Sequence, residues 1–177
     1  MIRSHGDAME MTYELMTETD VRLLYACLQA EGILWALVPD VPEISEEQFV
    51  ADMMREDVYP LAGYVDGELA GCLTIRPFDG RNTNCAEVGV TARRKFFRVA
   101  APLCRGALIH AADVLQPASF IGRVAEPNHH ILRMLSRVGF EKLRRIPGLV
   151  YYGRKQRYVD GWLVLATPDT VRASEGE

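Results

Sequence analysis

The stretch NCAEVGVTARRKFFRVAAPL, residues 84–103, decides the fold. From Asn84 to Thr91 it reads with a period of two. Ala86, Val88 and Val90 share one face of a strand, and Cys85, Glu87 and Gly89 share the other. From about Val99 the period becomes helical, and Leu103, Ala107, Leu108 and Ala111 form a buried stripe that runs to Leu115. Pro102 is tolerated only in a helix's first turn, so it fixes the start nearby. Between strand and helix stand Arg93, Arg94, Lys95 and Arg98, around Phe96-Phe97. A helix start presents unpaired amides and a partial positive charge. Strand, basic turn and helix N-terminus therefore make a pocket for a polyphosphate. Two adjacent phenylalanines do not suit a bare solvated turn, so one is expected to anchor it in the core.

Working outward, Asp66-Gly67 between Leu61–Val65 and Glu68–Ile75 is a two-residue hairpin signal, because both turn positions need positive φ. Upstream, Tyr13–Met16 reads as a short strand. Thr17 then opens a helix as N-cap, with Val21, Leu24 and Leu28 on its apolar face and Gly32 at its end. An apolar loop, Ile33–Pro42, leads to the capping box Ser45-Glu46-Glu47-Gln48 and a second helix carrying Phe49, Val50, Met53 and Met54. Downstream, Phe120–Val124 is a strand. Asn128 caps a helix bearing Ile131, Leu132, Leu135 and Val138, and Gly139 closes it. Strands at about Lys142–Tyr152, interrupted at Pro147-Gly148, and Tyr158–Ala166 complete the chain. Hairpins mixed with strand–helix–strand crossovers make an α+β, or mixed α/β, single domain. Residues 1–10 read as a loose N-terminal tail, 11–170 as the domain and 171–177 as a loose C-terminal tail.

The composition is that of an ordinary globular protein, with 177 residues, 49% apolar and 25% charged. The formal net charge of -4 conceals a division at residue 70. Nearly all the acidic excess precedes it, and 17 of the 20 Lys and Arg follow it. Such asymmetry points to a charged partner, with an anion on the second half. No apolar run is long enough to cross a bilayer, and the N-terminus lacks the apolar stretch of a signal peptide, so a cytoplasmic protein is expected. Cys27, Cys72, Cys85 and Cys104 sit in apolar patterns without CxxC spacing, which reads as free thiols and no metal site.

The order of elements and three short motifs resemble the GNAT superfamily of N-acetyltransferases over Tyr13–Ala166. That family's phosphate-binding signature is Q/R-x-x-G-x-G/A, and Lys95-Phe96-Phe97-Arg98-Val99-Ala100 is similar to it. Lys95 stands for Gln or Arg, Ala100 is an accepted small residue, and Arg98 replaces the middle glycine. Asn128 matches an asparagine that contacts the cofactor arm, in a stretch ending Arg137-Val138-Gly139-Phe140. The tyrosine that protonates the departing thiolate in the family falls at Leu135. The segment Arg157–Leu165 is similar to the family's closing strand. The resemblance implies a GNAT-like fold, a central, mostly antiparallel sheet with helices on both faces, and acetyl-CoA as cosubstrate.

It further implies acyl transfer to a small-molecule or peptide amine that the sequence does not identify. Backbone groups of Val88 and Val90 would stabilise the oxyanion, and Lys95, Arg98, Val99, Ala100 and Asn128 would hold the cofactor. Glu87, the only carboxylate on its strand, is the candidate base, with its pKa raised by partial burial. Tyr151, Tyr152 and Tyr158 of the last strands could supply an acid, with Tyr158 taken as the candidate, and Trp35, in the loop expected to cover the acceptor, would bind it. The acidic half would then favour a cationic acceptor such as a polyamine. Two rival readings are a non-catalytic GNAT-fold module, of the kind phages and prophages carry, and a nucleic-acid-binding domain. The acidic first half argues against the latter. The last strand could pair with a second copy to form a homodimer.

Overall fold

In the turn between the two central hairpin strands, Asp66 and Gly67 both have positive φ, 49° and 77°. They join β2 (Tyr59–Val65) to β3 (Glu68–Pro77) as the sequence predicts. The computed structural model describes residues 9–34, 43–78, 84–152 and 155–174. The other elements are β1 (Met11–Leu15), α1 (Glu18–Ala30), α2 (Glu46–Met53), β4 (Cys85–Ala92), α3 (Ala100–Leu115), β5 (Ser119–Ala125), α4 (His129–Arg137), β6 (Glu141–Tyr152), β7 (Arg157–Ala166) and α5 (Pro168–Ala173). Trp35 lies outside the described residues.

One seven-stranded sheet runs in the order β1-β2-β3-β4-β5-β7-β6. Among the described residues, only β4 and β5 pair in parallel. The strand alternation read from the sequence sorts the two faces. Ala86 and Val88 pack with Leu73, Ile75, Phe120, Val124 and Val164 beneath α3, α4 and α5. Ala62 and Cys72 face the other way, onto Leu24, Leu28, Phe49 and Met53 of α1 and α2. Phe96 packs with Val65, Ala70 and Leu103, so it is the anchor of the basic turn, whereas Phe97 is 55% exposed. Cys72 and Cys104 are buried free thiols, and burial pushes each up to about 12.

Two expectations are corrected. The chain does not become a loose tail at residue 171. Thr167 caps α5, Pro168 occupies its first turn, and Val171 is 1% exposed in the main core. The Arg105 guanidinium donates to the carbonyls of Val171 and Arg172, at 3.1 and 2.6 Å. The second correction concerns dimerisation. The last strand, β7, lies between β5 and β6, so neither of its edges is open to a second copy. Among the described residues, the edge strands of the sheet are β1 and β6.

The N-terminus of α1 carries an acid-labile clamp. Thr17 Oγ1 and the Thr17 amide donate to Asp20 Oδ2 at 2.6 and 2.8 Å, and Tyr64 Oη donates to Oδ1 at 3.1 Å. Burial pushes Asp20 up, but these hydrogen bonds outweigh it and leave its pKa lowered. A depressed carboxylate contributes stability that is present above its unfolded pKa and lost as pH falls through the folded one. The wild type should therefore lose stability below about pH 4. Asp20→Asn should flatten that part of the profile in urea titrations. An unchanged acid limb would contradict this role.

Candidate active site

The parallel pairing of β4 with β5 covers only Cys85–Ser119, Ala86–Phe120 and Glu87–Ile121. Beyond that rung β4 continues from Val88 to Ala92 against β3 alone, and β5 continues from Gly122 to Ala125 against β7 alone. The two strands diverge and open a slot in the middle of the sheet. Their carboxyl ends lie at the same end of the sheet as the starts of α3 and α4, where open sheets hold their ligands. Val88 and Val90, the expected oxyanion donors, are on β4 where it has left β5. At Gly122 the two strands are still close: a Cβ there would stand 3.8 Å from the Val88 carbonyl oxygen and 3.2 Å from the Val164 side chain.

The basic turn differs from the expectation. Residues Arg94–Val99 are wound into a 3₁₀ helix that runs directly into α3. The Phe96 amide donates to the Arg93 carbonyl and the Ala100 amide to the Phe97 carbonyl. The amides of a 3₁₀ helix are used internally, so α3 does not begin with a free amide cradle at Val99 and Ala100. Position 98 is compatible with this turn. Arg98 lies within the right-handed 3₁₀ turn, a conformation that needs none of a glycine's freedom. Arg98 itself is exposed and makes no ion pair among the described residues. Lys95 is ion-paired to Glu68 and lies 4.9 Å from the Phe96 ring centroid. Phosphates at this end of the slot would be held by side-chain cations rather than by amides.

Asn128 occupies the N-cap of α4, but its side chain makes no capping bond. Its Oδ1 instead lies 3.5 Å from Tyr152 Oη. Tyr152 is 8% exposed, whereas Tyr158, the expected acid, is 68% exposed with its ring edge-on to Tyr151. Both stand at the same end of the β6–β7 hairpin, and period-two alternation does not say which of its faces is covered. Leu135, where the family's tyrosine would fall, is buried in the main core. His129, Arg133, Ser136 and Lys142 line a shallow cavity beside α4.

Glu87 stands at the last paired rung before the slot, as a base would need to. Its carboxylate, however, is clamped. Arg76 Nε donates to Oε2 at 2.9 Å and Arg123 Nε donates to Oε1 at 2.7 Å. An Nη2 of each arginine stands within 2.9 and 2.6 Å of the same oxygens. Both carboxylate oxygens are thus committed to guanidiniums. Glu87 is therefore not a free carboxylate: each of its oxygens accepts a hydrogen bond from an arginine and is ion-paired to it.

No protein-family profile matches the sequence, and no curated protein does. Solved structures do match. Spermidine N-acetyltransferase from Vibrio cholerae, in complex with CoA and spermine, superposes with a TM-score of 0.74 at 14% identity, over 92% of this chain and 98% of that one. An acetyltransferase of the GNAT family from Streptococcus pneumoniae gives 0.64 at 14% identity, over 89% and 99%. A protein from Salmonella typhimurium solved with acetyl-CoA gives 0.70 at 15% identity, over 90% and 94%. At such identities the likeness is one of architecture, and it covers nearly the whole of each chain. The protein therefore has the GNAT N-acetyltransferase fold.

Proposed function

We propose that the chain is an N-acyltransferase that uses acetyl-CoA and acts on a small amine. The observation that carries this reading is the slot between β4 and β5, with α3 and α4 starting at its mouth. Solved structures of this fold hold CoA or acetyl-CoA, as their descriptions state. When bound, acetyl-CoA supplies an activated thioester. In this reading Arg98 and Lys95, at the Val99–Ala100 start of α3, hold phosphates. Asn128 holds the cofactor's arm, and backbone groups of Val88 and Val90 stabilise the charge that develops on the carbonyl oxygen. The acceptor nitrogen forms the amide bond as the carbon–sulfur bond breaks, and the proton it loses ends on the thiol. Tyr152, buried beside Asn128, is the hydroxyl that serves the departing sulfur, in place of Tyr158.

Calorimetry with acetyl-CoA at moderate salt tests this reading. Saturable binding that weakens about tenfold or more in Arg98→Glu is expected. Release of free thiol with a panel of amines then shows turnover. Absence of binding at millimolar acetyl-CoA would overturn the proposal, and binding without turnover on any amine would reduce it to an acyl-CoA-binding module.

A further inference from the structure

A slot through a sheet has two mouths. One opens on the face covered by α3 and α4, where the cofactor's phosphates would lie. The acceptor has to enter from the other face, the one that α1 and α2 share. Arg76, Glu87 and Arg123 are on that second face. Their neighbours Ile75, Ala86, Val88 and Val124 point into the α3 core, and alternation sends these three the opposite way. Glu87 is on the last paired rung, and Arg123 is on the part of β5 that has already left β4. The cluster therefore borders the acceptor's entrance.

We propose that Arg76 and Arg123 recognise an acidic group on the acceptor, so that the acceptor is an amino-acid-like amine. One carboxylate neutralises only one of the two guanidiniums, which leaves the cluster with a charge of +1. Each guanidinium has five N–H donors. Nε and Nη2 of each face Glu87, and each Nη1 has no partner among the described residues. The side chains are 43% and 40% exposed, while Glu87 between them is 12% exposed. A largely covered carboxylate fixing two accessible forks is a pre-organised receptor for a second carboxylate or a phosphonate. Gly89, two residues along β4, carries no side chain of its own, and the Thr74 hydroxyl fills the place where its Cβ would stand. Gly89 lies roughly 7 Å further on, which is within reach of an amine a few bonds from the bound acid.

Part of the acidic half that would favour a polyamine is already engaged, although Glu14, Glu43, Glu47, Asp52 and Glu56 make no ion pair among the described residues. Glu31 and Glu68 hold Arg93 and Lys95, Glu18 and Glu46 hold Arg22, and Asp20 is bound by Thr17 and Tyr64. The fate of the amine rests on the acyltransferase reading, but the anion site does not. The experiment therefore has two arms. In the first, L-amino acids, each beside its carboxamide, are titrated onto the protein without cofactor and followed by NMR or calorimetry. Saturable binding of acids over amides, abolished in Arg123→Gln and reduced in Arg123→Lys, supports the site. No amino acid bound at millimolar concentration overturns it. In the second arm, thiol release from acetyl-CoA is compared across the same pairs and spermidine. At least a tenfold advantage in kcat/KM for the acid, collapsing towards one in Arg76→Gln and Arg123→Gln, is expected. Preference for amides or spermidine, or an acid preference that both variants retain, overturns the assignment. Failure of acetyl-CoA to bind or react would remove the acyltransferase reading and leave the first arm to decide on the arginines. Each single variant leaves Glu87 one arginine, and thermal melts would verify that it folds.

Discussion

Replacing Gly139 by alanine should destabilise the protein by about 2–4 kcal/mol, combining left-handed strain with a collision. Gly139 is the residue at which α4 ends. Its amide donates to the Ser136 carbonyl, and the Phe140 amide donates to the Leu135 carbonyl, both back across the turn. This is a Schellman closure, and it needs positive φ at the glycine, here 94°. The closure also brings Phe140 and Leu135 together in the main core. The strain alone would be moderate. What enlarges the effect is α5, whose Thr170 carbonyl is packed against the glycine so closely that a Cβ would overlap it. Gly32 provides the control. Its φ is 64°, and a Cβ there would meet nothing within 4 Å. Gly32→Ala should cost about 1 kcal/mol. Urea titrations of both variants, at unchanged m-value, measure the difference. Equal midpoint shifts would show that the α5 contact contributes nothing.

Gly139 also marks where the sequence was informative and where it stopped being so. The glycine's place after a helical stripe was legible, because helix ends are local. So were Asp66-Gly67, the Ser45–Gln48 capping box and the Thr17 cap, whose determinants all lie within four residues of one another. The collision with Thr170 was not, because it joins segments 31 residues apart and depends on α5. The signal for α5, a Thr-Pro start with Thr170 at the third position, was present, but it sits near the terminus, where a tail is the easy reading. The register of the sheet was equally hidden. Nothing in a chain of alternating apolar residues says that β7 inserts between β5 and β6.

The site divides the same way. Its location followed from a strand, a basic turn and a helix in succession. The roles of the side chains depended on partners far away in sequence. Glu87 reads as a lone carboxylate on its strand until Arg76 and Arg123 arrive from two other strands. The charge asymmetry had the same fate. The acidic first half and the basic second half are neutralised against each other at several points, Arg93 with Glu31 being the least exposed. Part of the positive charge that remains lies in places the composition could not reveal: Arg98 before α3, and the arginine pair around Glu87.

Arg93→Met should be the most costly change to the basic turn, about 2 kcal/mol for a largely covered charged network. The Arg93 side chain is 16% exposed. Its Nε donates to Glu31 Oε1 at 3.0 Å, and its Nη1 donates to Glu68 Oε1 at 2.8 Å and to the Leu69 carbonyl at 2.9 Å. The other oxygen of Glu31 accepts the Arg94 amide at 2.6 Å, at the start of the 3₁₀ turn. One guanidinium therefore fastens the end of α1, the start of β3 and the turn that carries Lys95 and Arg98. Methionine keeps the stem but leaves Glu31 without its cation and the Leu69 carbonyl without this donor. Lys95→Met offers the contrast. Its pair with Glu68 is about half exposed on both sides, and such pairs contribute little. The two variants should also part company in acetyl-CoA binding. Lys95→Met would weaken it by the loss of one charge, with stability nearly intact. Arg93→Met would weaken it through displacement of the whole turn, together with a lower urea midpoint. A double-mutant cycle of Arg93→Met with Glu31→Gln isolates their coupling. If Arg93→Met unfolds at the wild-type midpoint, the turn is held by Phe96 packing alone, and the ion-pair network does not position the site.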